Sequence, residues 1–237
     1  MSKPAIAALF GAAGRMGREI LKQAWRHDEL LIAYGYDVQN VGDVVETITV
    51  EKPPAKLPGD VKIVMDFSAA EAVLQNLERA LEAGVPYLCG VTGLPEATGN
   101  ELRASANEIP VFHSPNMSPG MNVMFRLAAY AAKRLPGYER HIFELHHTQK
   151  KDSPSGTALH LSRAVEEETG EETTITALRM GDVPGEHRFL LGGPGERLEI
   201  IHRADSRAVF AIGALRAAVW LVKRPPGFYK MGDVLEG

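Results

Sequence analysis

A single cysteine, Cys89, stands in a chain of 237 residues, which excludes an intrachain disulfide framework and any cysteine-rich zinc site. No run of about eighteen consecutive apolar residues occurs, so no transmembrane helix is expected. Surplus positive charge is also missing. Lys and Arg number 26 against 30 Asp and Glu, a net charge of −4, so no global field draws the chain to nucleic acid. Internal repeats and low-complexity tracts are absent as well. Apolar residues make up 45% of the chain, enough to fill a core and to exclude extensive disorder. What remains is a globular chain of one to two domains, expected in the cytoplasm without a membrane or nucleic-acid partner.

The start of the chain has a superficial likeness to a secretory signal: Lys3, then Ala5 to Phe10, then small residues to Gly14. The apolar run is short, and an amphipathic pattern follows at Met16, Ile20, Leu21 and Trp25. A buried strand entering a glycine turn is the expectation.

Strand and helix signals alternate through the first half. Strands are expected at Ala5–Phe10, Leu31–Tyr36, Ile63–Phe67, Tyr87–Val91 and Val111–His113, with helices at 15–25, 70–83 and 96–107. This rhythm predicts a Rossmann-like parallel sheet covered on both faces. Residues 41–59 carry no clear pattern. The stretch 114–120 reads as a hinge, and a different order follows it. Helices are expected at 121–135 and 154–169, and strands at 140–147, 173–180, 187–191 and 197–203. Gly192-Gly193-Pro194-Gly195 marks a hairpin between the last two strands. The fold class is therefore α/β, with a Rossmann-like domain over 1–116 and a smaller, mainly antiparallel α+β domain over 117–206. An apolar helix at 208–223 precedes a short tail, and local pattern alone does not assign it to a domain.

Gly11-Ala12-Ala13-Gly14-Arg15-Met16-Gly17 follows the first strand and opens a helix. Glycines there permit a tight turn and close approach of a pyrophosphate, whose charge meets free amides at the helix start. Asp37 ends the second strand twenty residues beyond Gly17, a spacing that suits a carboxylate facing an adenosine ribose. Gly90-Val91-Thr92-Gly93 and Ser114-Pro115-Asn116-Met117 fall after later strands, where open α/β sheets bind ligands. Each of these two loops also reads equally well as an ordinary turn.

The densest chemistry runs from Glu144 to Thr157. Alternation sends His146 and His147 to opposite faces of a strand, so the pair does not readily chelate one metal, and no metal is expected. A histidine is the natural proton donor near neutral pH. Lys150 suits a negative substrate, or is simply solvated. Ser153-Pro154-Ser155-Gly156-Thr157 reads as a helix start, with serine capping and proline early in the first turn. A carboxylate fits the Gly156 and Thr157 amides, helped by the Thr157 hydroxyl. Cys89 reads as packed rather than reactive, and Met121, Met124, Phe125 and Ala128 read as a core stripe. His113, His187 and His202 have no local partner that marks them as catalysts.

At this point the sequence resembles the 4-hydroxy-tetrahydrodipicolinate reductase family, formerly the dihydrodipicolinate reductases of lysine biosynthesis. The likeness rests on H-H-x-x-K at His146 to Lys150, D-x-P-S-G-T at Asp152 to Thr157, and G-x-x-G-R-M-G at Gly11 to Gly17. The ending, Gly213 to Leu221 and Gly232 to Leu235, adds to it, and the likeness covers essentially the whole chain. The resemblance implies cofactor contacts from Gly11, Ala12, Ala13, Gly14, Arg15, Met16 and Asp37. It implies further cofactor contacts from Gly90, Val91, Thr92, Ser114, Pro115, Asn116 and Met117. His146 would be the proton donor and Lys150 its catalytic partner, while His147, Gly156 and Thr157 would bind a small cyclic dicarboxylate. A homotetramer built through the second domain's sheet is implied too, with the C-terminal segment, 207–237, returning to 1–116 to complete a dinucleotide-binding domain.

Three positions depart from the family pattern. Val91 stands where threonine is frequent, Met117 where an aromatic is common, and Val38 where some members carry arginine after the acid. With Asp37 facing the ribose and Val38 supplying no cation, NADH is the favoured cofactor and NADPH the second. Two alternatives stand beside this reading: a related NAD-dependent dehydrogenase of an amino or keto acid, and a non-catalytic dinucleotide sensor. Another dehydrogenase should lack the continuous His146-to-Thr157 string, and a sensor has no need of it.

Overall fold

The computed structural model describes residues 3–25 and 27–237. Met1, Ser2 and Arg26, which fall within the first expected domain, lie outside the described residues. The order begins β1 (Ala5–Phe10), α1 (Arg15–Ala24), β2 (Leu30–Tyr36), β3 (Val44–Val45), β4 (Ile48–Glu51), β5 (Ile63–Asp66) and α2 (Val73–Ala83). It continues β6 (Tyr87–Cys89), α3 (Glu96–Ser105), β7 (Pro110–His113), α4 (Pro119–Arg134), β8 (Glu139–His146), α5 (Gly156–Thr169) and β9 (Thr174–Arg179). It ends β10 (Glu186–Gly193), β11 (Glu196–Arg203), α6 (Ala208–Leu221), β12 (Gly227–Tyr229) and α7 (Met231–Glu236). Two compact units result: Met1–Met117 with Phe210–Gly237, and Ser118–Val209.

The first unit is built on a sheet of order β12-β7-β6-β5-β1-β2-β4-β3. Every pairing in it is parallel except β3 with β4. Such strands are buried on both faces, which is why β1 reads Ala-Ile-Ala-Ala-Leu-Phe with no polar alternation. One face packs on Ile20 and Leu21 of α1, Ala214, Leu215 and Ala218 of α6, and Val234 of α7. The other packs on Val73 and Leu77 of α2 and Leu102 of α3. Helix α6, which local pattern left unassigned, thus belongs to the core of this unit. Its sides are apolar nearly all round, so only packing could place it. The structure adds β3, β4, β12 and α7 where no element was expected. Strands of two to four residues offer too few positions for alternation to show.

The second unit has a sheet of order β11-β10-β8-β9. Strand β10 runs antiparallel to both neighbours, while β9 runs parallel to β8 after the α5 crossover. Helices α4 and α5 supply Met121, Met124, Phe125, Leu161 and Val165 to a core with Ile142 and Phe189 of the sheet. The methionine stripe is therefore core. The hairpin closes at Pro194-Gly195, where Gly195 takes φ +78°. Among the described residues no helix is long and apolar enough to cross a membrane.

Candidate active site

In the first unit, the C-terminal ends of β1, β2, β5, β6 and β7 share one edge, and the strand order reverses beside β1. Open α/β sheets bind ligands at such a switch point. A cavity of about 330 Å³ opens there, lined by Gly11, Ala13, Gly14, Asp37, Asn40 and Arg79 among others. Gly11 has φ +78°, and a Cβ on it would lie 2.4 Å from the Phe67 carbonyl oxygen. A Cβ on Gly17 would lie 2.1 Å from the Gly11 carbonyl oxygen, so α1 docks this closely only with glycine.

The turn's amides are largely engaged. Gly11 and Ala12 donate to the Tyr36 carbonyl, Gly14 to the Gly11 carbonyl, and Ala13 to Asp37 Oδ2 at 3.1 Å. Ala12 is fully buried, so neither its amide nor its methyl is available to a ligand. The first turn of α1 differs. Arg15, Met16 and Gly17 have no intrahelical acceptor for their N–H groups, and Gly14 at the N-cap offers no capping side chain. These are the features a pyrophosphate fits.

Asp37 also accepts the Gln39 amide at 3.1 Å, so its carboxylate organises both sides of the crevice. Asp66, fully buried at the end of β5, accepts from Ser68, Asn76 and Tyr87 and holds the loop along the cavity wall. Arg79 was not visible as a site residue in the sequence. Its guanidinium lines the cavity, donates to the Pro54 carbonyl at 2.7 Å and stands 5.9 Å from the Phe10 ring centre. Arg15 is exposed and does not line this cavity.

Gly90–Thr92 and Ser114–Met117 follow β6 and β7 at the same edge but do not line the cavity. The Ser114 hydroxyl donates to the Asn116 carbonyl at 2.8 Å and closes that turn. Val91 is buried. Met117 is 4% exposed and packs in the core of the first unit, so its side chain fills the interior rather than a ligand site. Cys89 is buried too, and burial pushes its thiol up to about 12.

In the second unit the chemistry gathers on the inner face of the sheet. Alternation puts Glu144 and His146 on one face of β8. The register sets His187 of β10 opposite Glu144, and Arg179 of β9 opposite His146. Glu144 is fully buried and bonds His146 Nδ1 through Oε2. Arg179 grips the same carboxylate with two nitrogens, at 3.0 Å to Oε2 and 2.8 Å to Oε1. The Ser155 amide donates to Oε1 at 3.0 Å. Burial alone raises the Glu144 carboxyl, but hydrogen bonds from His146, Arg179 and Ser155 outweigh it and hold the group down at about 2.

His187 lies edge-on to His146, with ring centres 5.1 Å apart, and its Nε2 is 3.3 Å from the Ser155 hydroxyl. Burial, with the neighbouring His146 as a further cause, brings it down to about 3, so this imidazole stays neutral. Its lack of partners in the sequence was only local, because cross-strand pairing supplies them. His202 likewise meets the Ser118 hydroxyl at 3.1 Å. Gly185 borders the site. A Cβ there would stand 3.0 Å from His146 Nε2.

The basic loop joins this network. Lys150 Nζ pairs with Asp152 at 3.0 Å, and the Asp152 carboxylate accepts the Gly156 amide at 3.3 Å. Arg179 also donates to the Asp152 carbonyl at 2.6 Å, tying loop to sheet. The helix starts later than the sequence suggests. Ser155 is the cap, accepting from the Ala158 amide, and Pro154 lies outside α5 because the extended cap residue follows it. His147 is half-buried just past the end of β8. Glu144, His146 and His187 bring ligand atoms within 4.8 Å of one another. A guanidinium already meets both oxygens of that carboxylate and supplies the positive charge.

A dinucleotide crevice on one unit and a histidine–carboxylate couple on the other define a class, the nicotinamide-dependent oxidoreductases. Residues 6–117 match the family model for the dihydrodipicolinate reductase N-terminus, and residues 120–235 match that for its C-terminus. The chain belongs to the dihydrodipicolinate reductase family. It is 41% identical to the 4-hydroxy-tetrahydrodipicolinate reductase of Archaeoglobus fulgidus, over 97% of this chain and 99% of the other. The Methanopyrus kandleri enzyme of the same name is 38% identical, over 97% and 96%. The fold is similar to that of the dipicolinate-bound dihydrodipicolinate reductase from Paenisporosarcina sp. TG-14. The TM-score is 0.77 at 19% identity, covering 96% of this chain and 97% of that one.

Proposed function

We propose that this chain reduces 4-hydroxy-tetrahydrodipicolinate, or dihydrodipicolinate, to tetrahydrodipicolinate in the diaminopimelate route to lysine. The family match over both units carries this reading and displaces the amino-acid dehydrogenase and the sensor. The first unit holds the dinucleotide: the α1 start at Gly14, Arg15 and Met16 meets the pyrophosphate, and Asp37 meets the adenosine ribose. Gly90–Thr92 and Ser114–Met117 border the nicotinamide end, the buried Val91 and Met117 through backbone atoms. The nicotinamide, when bound, supplies the hydride. NADH is favoured over NADPH.

The second unit holds the substrate and supplies the proton. His146 delivers it with Lys150 as its catalytic partner, while His147, Gly156 and Thr157 bind carboxylate oxygen. Asp152 now sits on the Gly156 amide, which is assigned to the substrate, and on the catalytic Lys150, so its carboxylate gives way as substrate enters. A homotetramer assembled through the second unit's sheet fits the face opposite α4 and α5. Leu178 and Ile201 are exposed there, and Phe143 and Leu190 are half-buried. A cytoplasmic location agrees with a single, buried cysteine.

The test is a coupled assay with freshly made dihydrodipicolinate synthase product, following cofactor absorbance. Substrate-dependent oxidation of NADH is expected. Oxidation of neither NADH nor NADPH would refute the reading.

A further inference from the structure

Two residues with no assigned part in the reaction surround the histidine. Glu144 bonds the Nδ1 side of His146, and Arg179 bonds both oxygens of Glu144. Arg179 is itself fixed by the carbonyls of Leu178 and Asp152, at 2.8 and 2.6 Å, so four acceptors hold one guanidinium. Such a planar fork is preorganised for bidentate contact with a carboxylate. A buried carboxylate beside an imidazole would otherwise compete for its proton.

Building on the proposed role of His146 as proton donor, we propose that Glu144 and Arg179 are its positioning residues. Glu144 fixes the ring and its tautomer by accepting from Nδ1. This leaves Nε2, which makes no hydrogen bond among the described residues, as the atom that delivers the proton. Arg179 keeps the Glu144 carboxylate ionised and in place, so the proton stays on the ring and is not lost sideways. The same carboxylate receives the Ser155 amide and so aligns the start of α5 with the donor. The ionisable groups next to His146 are Glu144 on its own strand, Arg179 opposite it on β9 and His187 on β10, and His202 and Lys150 act in turn on His187.

The two residues act on the imidazole with opposite sign, and this separates positioning from mere structural support. Removing the Glu144 charge destabilises the imidazolium. Removing the Arg179 charge frees the carboxylate to hold the proton more strongly. Glu144→Gln, Arg179→Met, Arg179→Lys and His146→Gln are compared in the full-length protein by steady-state kinetics across pH. Near-UV circular dichroism and NADH titration serve as folding controls.

Glu144→Gln should move the alkaline limb of kcat/KM down by about one pH unit or more, and Arg179→Met should move it up by a similar amount. Each should lower kcat by roughly ten- to a hundredfold with little change in the KM for NADH. Arg179→Lys should recover part of the loss and return the limb toward the wild-type position. Limbs that stay in place, or move together, in folded variants overturn the positioning role while His146→Gln still abolishes turnover. Full turnover in His146→Gln removes the donor assignment, and the positioning role falls with it.

Discussion

The carboxylate of Asp37 accepts the amide N–H of Ala13 at 3.1 Å, tying the end of β2 to the glycine turn after β1. The acid that faces the ribose in the proposed reading therefore also shapes the phosphate turn. A 2′-phosphate beside Asp37 meets a like charge, and Val38 provides no cation. Arg79, on the cavity wall, offsets part of that repulsion. NADH should be preferred by roughly 1–2 kcal/mol, about five- to thirtyfold in kcat/KM. Asp37→Ala alone should weaken both cofactors, because the Ala13 amide loses its acceptor. Adding Val38→Arg should turn preference toward NADPH, and Arg79→Met should harm NADPH use more than NADH use. Parallel titrations at fixed ionic strength measure this. A wild-type preference for NADPH would show that Arg79 outweighs Asp37.

Thr157→Val and Asp152→Ala should move substrate affinity in opposite directions. The first removes a charge-assisted hydrogen bond, about 1.5–3 kcal/mol, and should raise the substrate KM roughly ten- to a hundredfold. The second removes the internal carboxylate that competes for Lys150 and the Gly156 amide, and should lower KM by about two- to tenfold. NADH binding, followed by calorimetry, should hardly change in either. Weakened NADH binding with unchanged substrate affinity would place these residues elsewhere in the mechanism.

Acid should destabilise the fold in two stages. The folded pKa of His187 is depressed from 6.5 to about 3, so the unfolded chain takes up its proton first, and stability falls as pH drops from about 6.5 toward 3. Glu144 is depressed from 4.5 to about 2, and its contribution is complete above 4.5 and lost as pH falls toward 2. Between pH 6.5 and 4.5 the histidine dominates, on the order of a few kcal/mol. Urea midpoints should drop across that window in the wild type. His187→Gln, which keeps a polar partner for Ser155 but does not titrate, should flatten the drop. Parallel curves for the two proteins would exclude His187 as the source.

Gly185→Ala should slow the reaction, and at φ +159° it should also cost the fold some stability, which a urea midpoint reads separately from kcat. The added Cβ would stand 3.0 Å from His146 Nε2, and the ring must shift to admit it. A displacement of a few tenths of an ångström should cost about tenfold in kcat. A double-mutant cycle with His146→Gln provides the check, since the two losses should not add when both act through one imidazole. Full additivity would mean that Gly185 acts on something else.

Much of this protein follows from local sequence. The unbroken apolar run of β1, the glycines after it and the amphipathic stripe of α1 each report a physical demand met within a few residues. The same is true of the period-two placement of Glu144 with His146, and the histidine segment was legible for that reason, although the cap of α5 falls on Ser155 and not before Pro154. Tertiary structure decided the rest, because the deciding interactions join residues far apart in sequence. Arg179 is an ordinary strand-end residue until β9 pairs with β8, and His187 lacks a partner until β10 sets it beside Glu144 and Ser155. Arg79 reaches the cavity only because α2 packs against the sheet, and Gly185 borders the histidine only because β10 begins there. Helix α6, apolar nearly all round, carries no stripe to say which core it fills, and burial in the first unit supplied the answer. Periodicity encodes which face a residue takes, whereas long-range register and packing determine what that face meets.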